Sequence, residues 1–404
     1  MKKRKNNLSY MRAIACLAIV LFHTFQAAAA SLGGVAQTAA DTAAGTADPA
    51  VSGLVAALVT GRNLMLWAVP CFVMVTGALM LDPAREVSLG RLFRRYIWRV
   101  VRALLIFTAV YEVFDILFGL IAPANPLADW ALRLVTGTSW SPLWYLYMMI
   151  GIYLLLPAFR GAAGAMSRQG LAYTVVILTI FQSLLPVLTT LGMGTAFYIP
   201  VYTVYPLYLF AGYLLATSGT RSGTPNSFAA KDVTGMQPGM EDGDEKAAVT
   251  ATPTPGSRAK ALAVFGLAIS AAIIVCATLY GYFADSELVR RLISDYSSLP
   301  VAVLSLSVFA LFAARKEAEE GHLSGFSVLL LSVDRASFGI YLVHIILVNL
   351  VFEVSGFSPE PFGIVGGFLV TLLLAVIIFM VSFLLVAGFQ KAVEGIRGTK
   401  VSAS

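Results

Sequence analysis

Apolar residues in this chain come in runs of about 20, separated by short polar or basic stretches, and a run of that length is what an α-helix needs to cross about 30 Å of hydrocarbon. Ten such runs can be drawn, at approximately 9-30, 64-81, 98-121, 142-160, 170-190, 198-217, 261-283, 298-314, 334-352 and 362-386. They predict an all-α polytopic membrane protein of about ten transmembrane helices, because in lipid each helix satisfies its own backbone hydrogen bonds. Pro70, Gly77, Pro186 and Pro206 interrupt several runs, which is tolerable where neighbouring helices re-satisfy the backbone. Composition agrees. Apolar residues make up 58%, charged residues 12%, and mean hydropathy is +0.81, against about 45–50% and about 25% in soluble proteins. An ordinary soluble two-domain enzyme and a disordered chain are both excluded. Cys16, Cys71 and Cys276 lie far apart inside apolar runs, so neither a disulfide framework nor a metal knuckle is available.

Lys and Arg set the expected topology, since cytoplasmic loops retain positive charge. With the N-terminus inside, Arg62, Arg133, Arg290 and Arg291 fall on outer segments, Arg12 lies within the first run, and the rest of the 28 basic residues are inside. Both termini are therefore expected in the cytoplasm. The first run, Leu8 to Ala30, is longer than a signal-peptide core and carries Arg12 and His23, so it reads as a retained span. The net charge of +6 is mostly this topology signal, and no basic and aromatic stripe suits nucleic acid. The chain reads as one membrane domain over 1-404. Residues 218-260, rich in Gly, Pro, Thr and charge, read as a disordered cytoplasmic linker between helices six and seven. Residues 27-53 read as an extracytoplasmic loop, followed at 51-60 by a weakly apolar stretch expected along the interface.

Ionisable side chains inside a span cost about 2.5–3.5 kcal/mol on insertion scales, so each is a functional candidate. The set is Arg12, His23, Glu112, Asp115, Asp334 and His344, while His322 falls in a polar inner loop. Arg12 and His23 are eleven residues apart, about three turns and about 16 Å along one helix face. Arg12 fits either a function or a snorkelling anchor, and His23 either a base or a histidine bonded to a neighbouring helix. Counted inward, Glu112, Asp115 and both histidines reach similar depths and could share one outer polar cavity, where a carboxylate beside a histidine makes a general base. Asp115 fits equally a structural pairing near the outer interface. Ser337, Tyr341 and His344 share a face at i, i+4 and i+7. Arg91, Arg94, Arg95, Arg99 and Arg102 sit at the inner mouth of the third span, where they suit either a phosphate-bearing cytosolic ligand or anionic lipid. No ligand spacing supports a metal site.

YMRAIACLAIVLFHTFQ, VPCFVMVTGALML, RRYIWRVVRALLIF, LWYLYMMIGIYLLLPAFR and SFGIYLVH, in that order, resemble the signatures of the acyltransferase family 3 membrane O-acyltransferases. Thr76 departs from the serine usual in the second motif. The resemblance implies a ten-helix enzyme of the plasma membrane that takes an acyl group, usually acetyl, from cytosolic acetyl-CoA as cosubstrate. It gives that group to a hydroxyl of a cell-envelope carbohydrate or lipid-linked sugar. It implies activity roles for Arg12 and His23, and an arginine pair spaced RxxR for the acyl donor, with Arg95, Arg99 and Arg102 as the candidates. With no esterase-like domain fused at the C-terminus, the chain resembles stand-alone members that modify surface glycans.

From the residues themselves, the inner arginines suit the phosphates of coenzyme A and His23 suits a general base, with Glu112 or His344 as partner. Trp144, Tyr145 and Tyr341 are candidates for contacting the acceptor sugar. An acylated enzyme intermediate stays open. The competing reading is a transporter or flippase in which Arg12, His23 and Glu112 form a proton or substrate pathway.

Overall fold

The fold was obtained as a computed structural model, which describes residues 6–33, 48–83, 85, 87–193, 201, 203–217, 257–314 and 324–402. All regular structure among these residues is helical: α1 Asn6–Ser31, α2 Pro49–Leu64, α3 Ala68–Met80, α4 Trp98–Leu117, α5 Pro126–Thr136, α6 Trp144–Ala165, α7 Arg168–Thr179, α8 Leu185–Thr190, α9 Tyr205–Ala216, α10 Ser257–Phe283, α11 Glu287–Ile293, α12 Leu299–Ala313, α13 Gly325–Asn349 and α14 Gly363–Ser402. Among the described residues, seven segments are long and apolar enough to cross a membrane: Asn6–Ser31, Pro49–Met80, Ser141–Ala165, Arg168–Thr190, Ser257–Phe283, Gly325–Val354 and Glu360–Gly395.

The other three expected spans differ for separate reasons. α9 and α12 are apolar but short, at 12 and 15 residues. α4 has 20 residues but carries Arg99, Arg102, Glu112 and Asp115. The stretch 51-60 does not lie along an interface. It belongs to α2, where Leu54, Val55 and Leu58 are buried, and α2 packs on α1, α10 and α14. Its weak apolar character reflects burial among other helices rather than a boundary with water. The expected loop 27-53 shrinks accordingly, because residues up to Ser31 continue α1 and residues from Pro49 open α2. Of the expected linker, 218–256 lies outside the described residues and 257–260 begins α10; His322 also lies outside them.

α1 is the central helix and packs against α13, α2, α14 and α3. Its buried positions include Ala13, Ala15, Cys16 and Ala18, small side chains that let neighbouring backbones come close where lipid supplies no hydrophobic drive for association. α3 and α9 meet more closely still, through Gly77 and Gly212. Large apolar side chains remain exposed on outward faces, such as Ile106 and Val113 on α4, Phe265 on α10 and Leu373 on α14, as expected of faces that meet lipid tails.

Between α4 and α6 lies the short helix α5, which the sequence reading did not anticipate. Asn125 caps it by accepting from the Ala128 N–H, and Gly137 ends it in the left-handed conformation at φ 71°. Leu127, Leu132 and Val135 stay exposed, while Arg133 reaches back to α4.

Candidate active site

α1 and α13 run parallel and in step. Arg12 meets Asp334, Cys16 donates to the Ser337 carbonyl at 3.6 Å, and His23 meets His344 with ring centroids 5.3 Å apart. The first contact is a two-pronged ion pair, Arg12 Nε to Asp334 Oδ1 at 2.7 Å and Nη2 to Oδ2 at 2.9 Å. Arginine is the cation whose planar fork fits a carboxylate this way. Asp334 is buried while a third of the Arg12 side chain is exposed, towards a cavity.

That cavity has a volume of about 260 Å³, and its walls include Arg12, Arg85, Tyr96, Arg99, Tyr145 and Tyr341. Tyr96, Arg99 and Val100 line it from one face of the helical stretch around the start of α4, at i, i+3 and i+4. Arg99 stacks over Phe338 with Cζ 4.8 Å from the ring centroid. Arg85, in the loop after α3, donates to the Leu79 carbonyl and to the Tyr96 hydroxyl, each at 3.1 Å. Arg160 of α6 holds the same loop by donating to the carbonyls of Met80 and Arg85. Arg95 and Arg102, expected at the donor site, are exposed and do not line the cavity.

A second, smaller crevice of about 10 Å³, room for about one water, adjoins the cavity and shares Ile19 and Tyr341 with it. His23, Phe22, Trp144 and Tyr296 line the crevice. Tyr341 donates to the Pro142 carbonyl, which fixes it as the partition between the two spaces. His344 is fully buried behind His23. Its Nδ1 lies 3.1 Å from the Ile340 carbonyl, which can only accept, so Nδ1 carries the proton and Nε2 is left an acceptor. That Nε2 is buried with no hydrogen-bond partner. Tyr296, in the segment between α11 and α12, has its hydroxyl pushed up to about 12 by burial, against the opposing pull of Arg62.

The expected meeting of acids and histidines is not seen. Glu112 faces Arg133 of α5 at 3.2 Å, and Arg133 also pairs with Asp129 at 2.5 Å, holding the Asp129 carboxyl below the ordinary carboxylate range. Asp115 accepts from the Trp140 indole N–H at 2.9 and 3.1 Å, and Trp140 stacks on Tyr111 at 4.2 Å. Tyr111 in turn donates to the Leu342 carbonyl at 2.7 Å. The two acids therefore tie α5 and the loop before α6 to α4, and depth along the helix did not reveal the side they face. Arg62, Arg85, Tyr96 and Tyr296 were not singled out from sequence: the two arginines counted only as loop charges, and the tyrosines carried no signal.

Removing one partner of a buried ion pair costs about 3–5 kcal/mol because the other charge is left alone, whereas replacing both by apolar residues is often neutral. Asp334→Leu is therefore expected to destabilise the protein towards the low end of that range, given the exposure of Arg12, and Arg12→Leu/Asp334→Leu to recover most of the loss. Thermal unfolding in detergent reads both.

What these features define is a polytopic helical membrane protein with an arginine-lined chamber on one side of an internal histidine pair. Over residues 5–385 the sequence matches the acyltransferase domain of acyltransferase family 3, and the chain belongs to that family. It is a membrane acyltransferase. No curated protein and no solved structure matches it.

Proposed function

We propose that the protein moves an acetyl group from cytosolic acetyl-CoA to a hydroxyl of a cell-envelope carbohydrate or lipid-linked sugar at the plasma membrane. The observation that carries this reading is the pair of adjoining spaces: an arginine-walled cavity and a histidine-walled crevice, divided by Ile19 and Tyr341 alone among their shared residues. The cavity suits a slender acyl-bearing arm, while Arg85 and Arg99 offer forks to phosphate oxygens. The bias of basic residues supports a cytosolic position for this end of α1, where the thioester is made.

In this reading His23 takes the proton from the acceptor hydroxyl as its oxygen attacks the thioester carbonyl. The new C–O bond forms, the C–S bond breaks, and the proton passes to the departing thiolate. His344, whose ring packs beside that of His23 with centroids 5.3 Å apart, is a positioning residue. Tyr145 and Tyr341 border the path of the acyl group, and Trp144 the approach of the acceptor. Glu112 has no part, since Arg133 engages it. A transport pathway through Arg12, His23 and Glu112 would leave the acyltransferase match without a role.

The test is coenzyme A release from acetyl-CoA by the purified full chain, with and without crude envelope glycan as acceptor. A hydrogen bond to a charged group contributes about 1.5–3 kcal/mol, so Arg85→Gln and Arg99→Gln are each expected to raise KM for acetyl-CoA roughly 10- to 100-fold. Arg102→Gln is expected to stay within about twofold of wild type. A wild-type protein that neither binds acetyl-CoA nor releases the thiol would remove the donor from the reading.

A further inference from the structure

Arg62 is the arginine of the α2–α3 segment, and its surroundings differ from those of the other arginines on the same side. Arg133 has Glu112 and Asp129, Arg290 has Asp285, and Arg291 has Glu287, but no carboxylate pairs with Arg62 among the described residues. Among the described residues its Nε is sealed from solvent and unbonded, and its one side-chain polar contact is a long one, Nη1 to Asn63 Oδ1 at 3.4 Å. Asn63 is itself held, donating to the Thr278 hydroxyl at 3.1 Å. The guanidinium lies over Phe22, with Cζ 5.1 Å from the ring centroid, and the Phe22 ring meets the His23 ring edge-on at 5.0 Å. Phe22 and Tyr296 both line the crevice at His23, and Arg62 acts electrostatically on Tyr296.

A largely desolvated cation without a counter-ion is costly. A guanidinium with free N–H groups, one ring's width from the reacting histidine, has the chemistry to offset that cost by binding an anion in a forked hydrogen bond. The crevice admits a group the size of a hydroxyl and no more, so a sugar ring must lie outside it. A ring hydroxyl at His23 and an acidic substituent on the same ring would span that gap.

We infer that Arg62 binds an anionic substituent of the acceptor, a carboxylate or a phosphate, so that the acceptor is an acidic glycan rather than a neutral one. The inference rests on the acyl-transfer reading and names its acceptor class.

The experiment is calorimetric titration of the full-length protein in detergent with glucose, glucuronate and glucose 1-phosphate, the last two separating a carboxylate from a phosphate. Wild type is expected to bind at least one anionic probe about tenfold or more tightly than glucose, with the preference shrinking as salt is added. Arg62→Gln should reduce that preference to less than about twofold, and Arg62→Lys should keep part of it, which separates loss of charge from loss of the fold. Equal binding of glucose, failure to bind either anion, or a preference that survives in Arg62→Gln overturns the inference. The wild-type titration decides the first two even if the glutamine variant does not fold. Failure of the acyl-transfer reading would show instead as a wild-type protein that does not bind acetyl-CoA, in a titration that contains no acceptor.

Discussion

His23→Ala is expected to lower acetyl transfer by about 10²–10⁴, the range over which a positioned general base contributes, while leaving KM for acetyl-CoA within about twofold. The split follows from geometry. His23 opens on the crevice, on the far side of Tyr341 from Arg85 and Arg99, so its loss removes an interaction made as the proton moves and none made to the donor's phosphates. Arg99→Gln should show the converse, a raised KM with kcat little changed. His344→Gln should fall between wild type and His23→Ala, because it leaves the base in place and removes the ring packed beside it. Steady-state rates of coenzyme A release and of acetylated product, measured for the three variants at saturating and limiting donor, check the pattern. If His23→Ala keeps the wild-type kcat, proton abstraction lies elsewhere.

How much of this was legible in the sequence depended on whether a residue's own helix fixed its place. Arg12 and His23 lie on one helix, so their spacing gave their shared face, and the same holds for Ser337, Tyr341 and His344 on α13. The parallel alignment of those two helices, which makes partners of Arg12 and Asp334, is a tertiary fact that periodicity within a helix does not carry. Glu112 and Asp115 show the same limit from the other direction. Their depth along α4 was readable, but which side they face was set by α5, a short helix whose apolar positions are too few to announce themselves, and by Trp140. Arg85 was invisible for a different reason: a basic residue in a loop after a span is what topology alone demands, and only the Tyr96 hydroxyl and the Leu79 carbonyl aim it at the cavity. Arg62 was masked likewise, until the apolar stretch before it proved to be a buried helix rather than an interfacial one.

Gly212→Ala and Gly77→Ala are expected to destabilise the protein by more than about 3 kcal/mol each, beyond the usual 1–3 kcal/mol of overpacking. A Cβ built on Gly212 would lie 2.0 Å from the Met74 carbonyl oxygen, and one on Gly77 would lie 1.9 Å from that of Leu209. Neither obstacle is the flexible end of a side chain; both are helix backbone, so relief requires α3 and α9 to move apart as whole helices. Gly161 on α6 supplies the contrast, since a Cβ there meets nothing within 4 Å and alanine has the better helix propensity by about 0.8–1.0 kcal/mol. Gly161→Ala should therefore be neutral or slightly stabilising. Yield of monodisperse protein and the thermal midpoint in detergent compare the three, and a Gly212→Ala protein as stable as Gly161→Ala would show that the two helices are not packed backbone to backbone. The consequence reaches the site as well. Thr76, Val75 and Leu79 of α3 form part of the cavity wall, and Gly77 stands among them, so the glycine in VPCFVMVTG sets how close that wall stands to Arg99 and Tyr145. Any Gly77→Ala protein that survives should accordingly bind acetyl-CoA more weakly with His23 untouched, a raised KM produced by packing rather than by the loss of a contact.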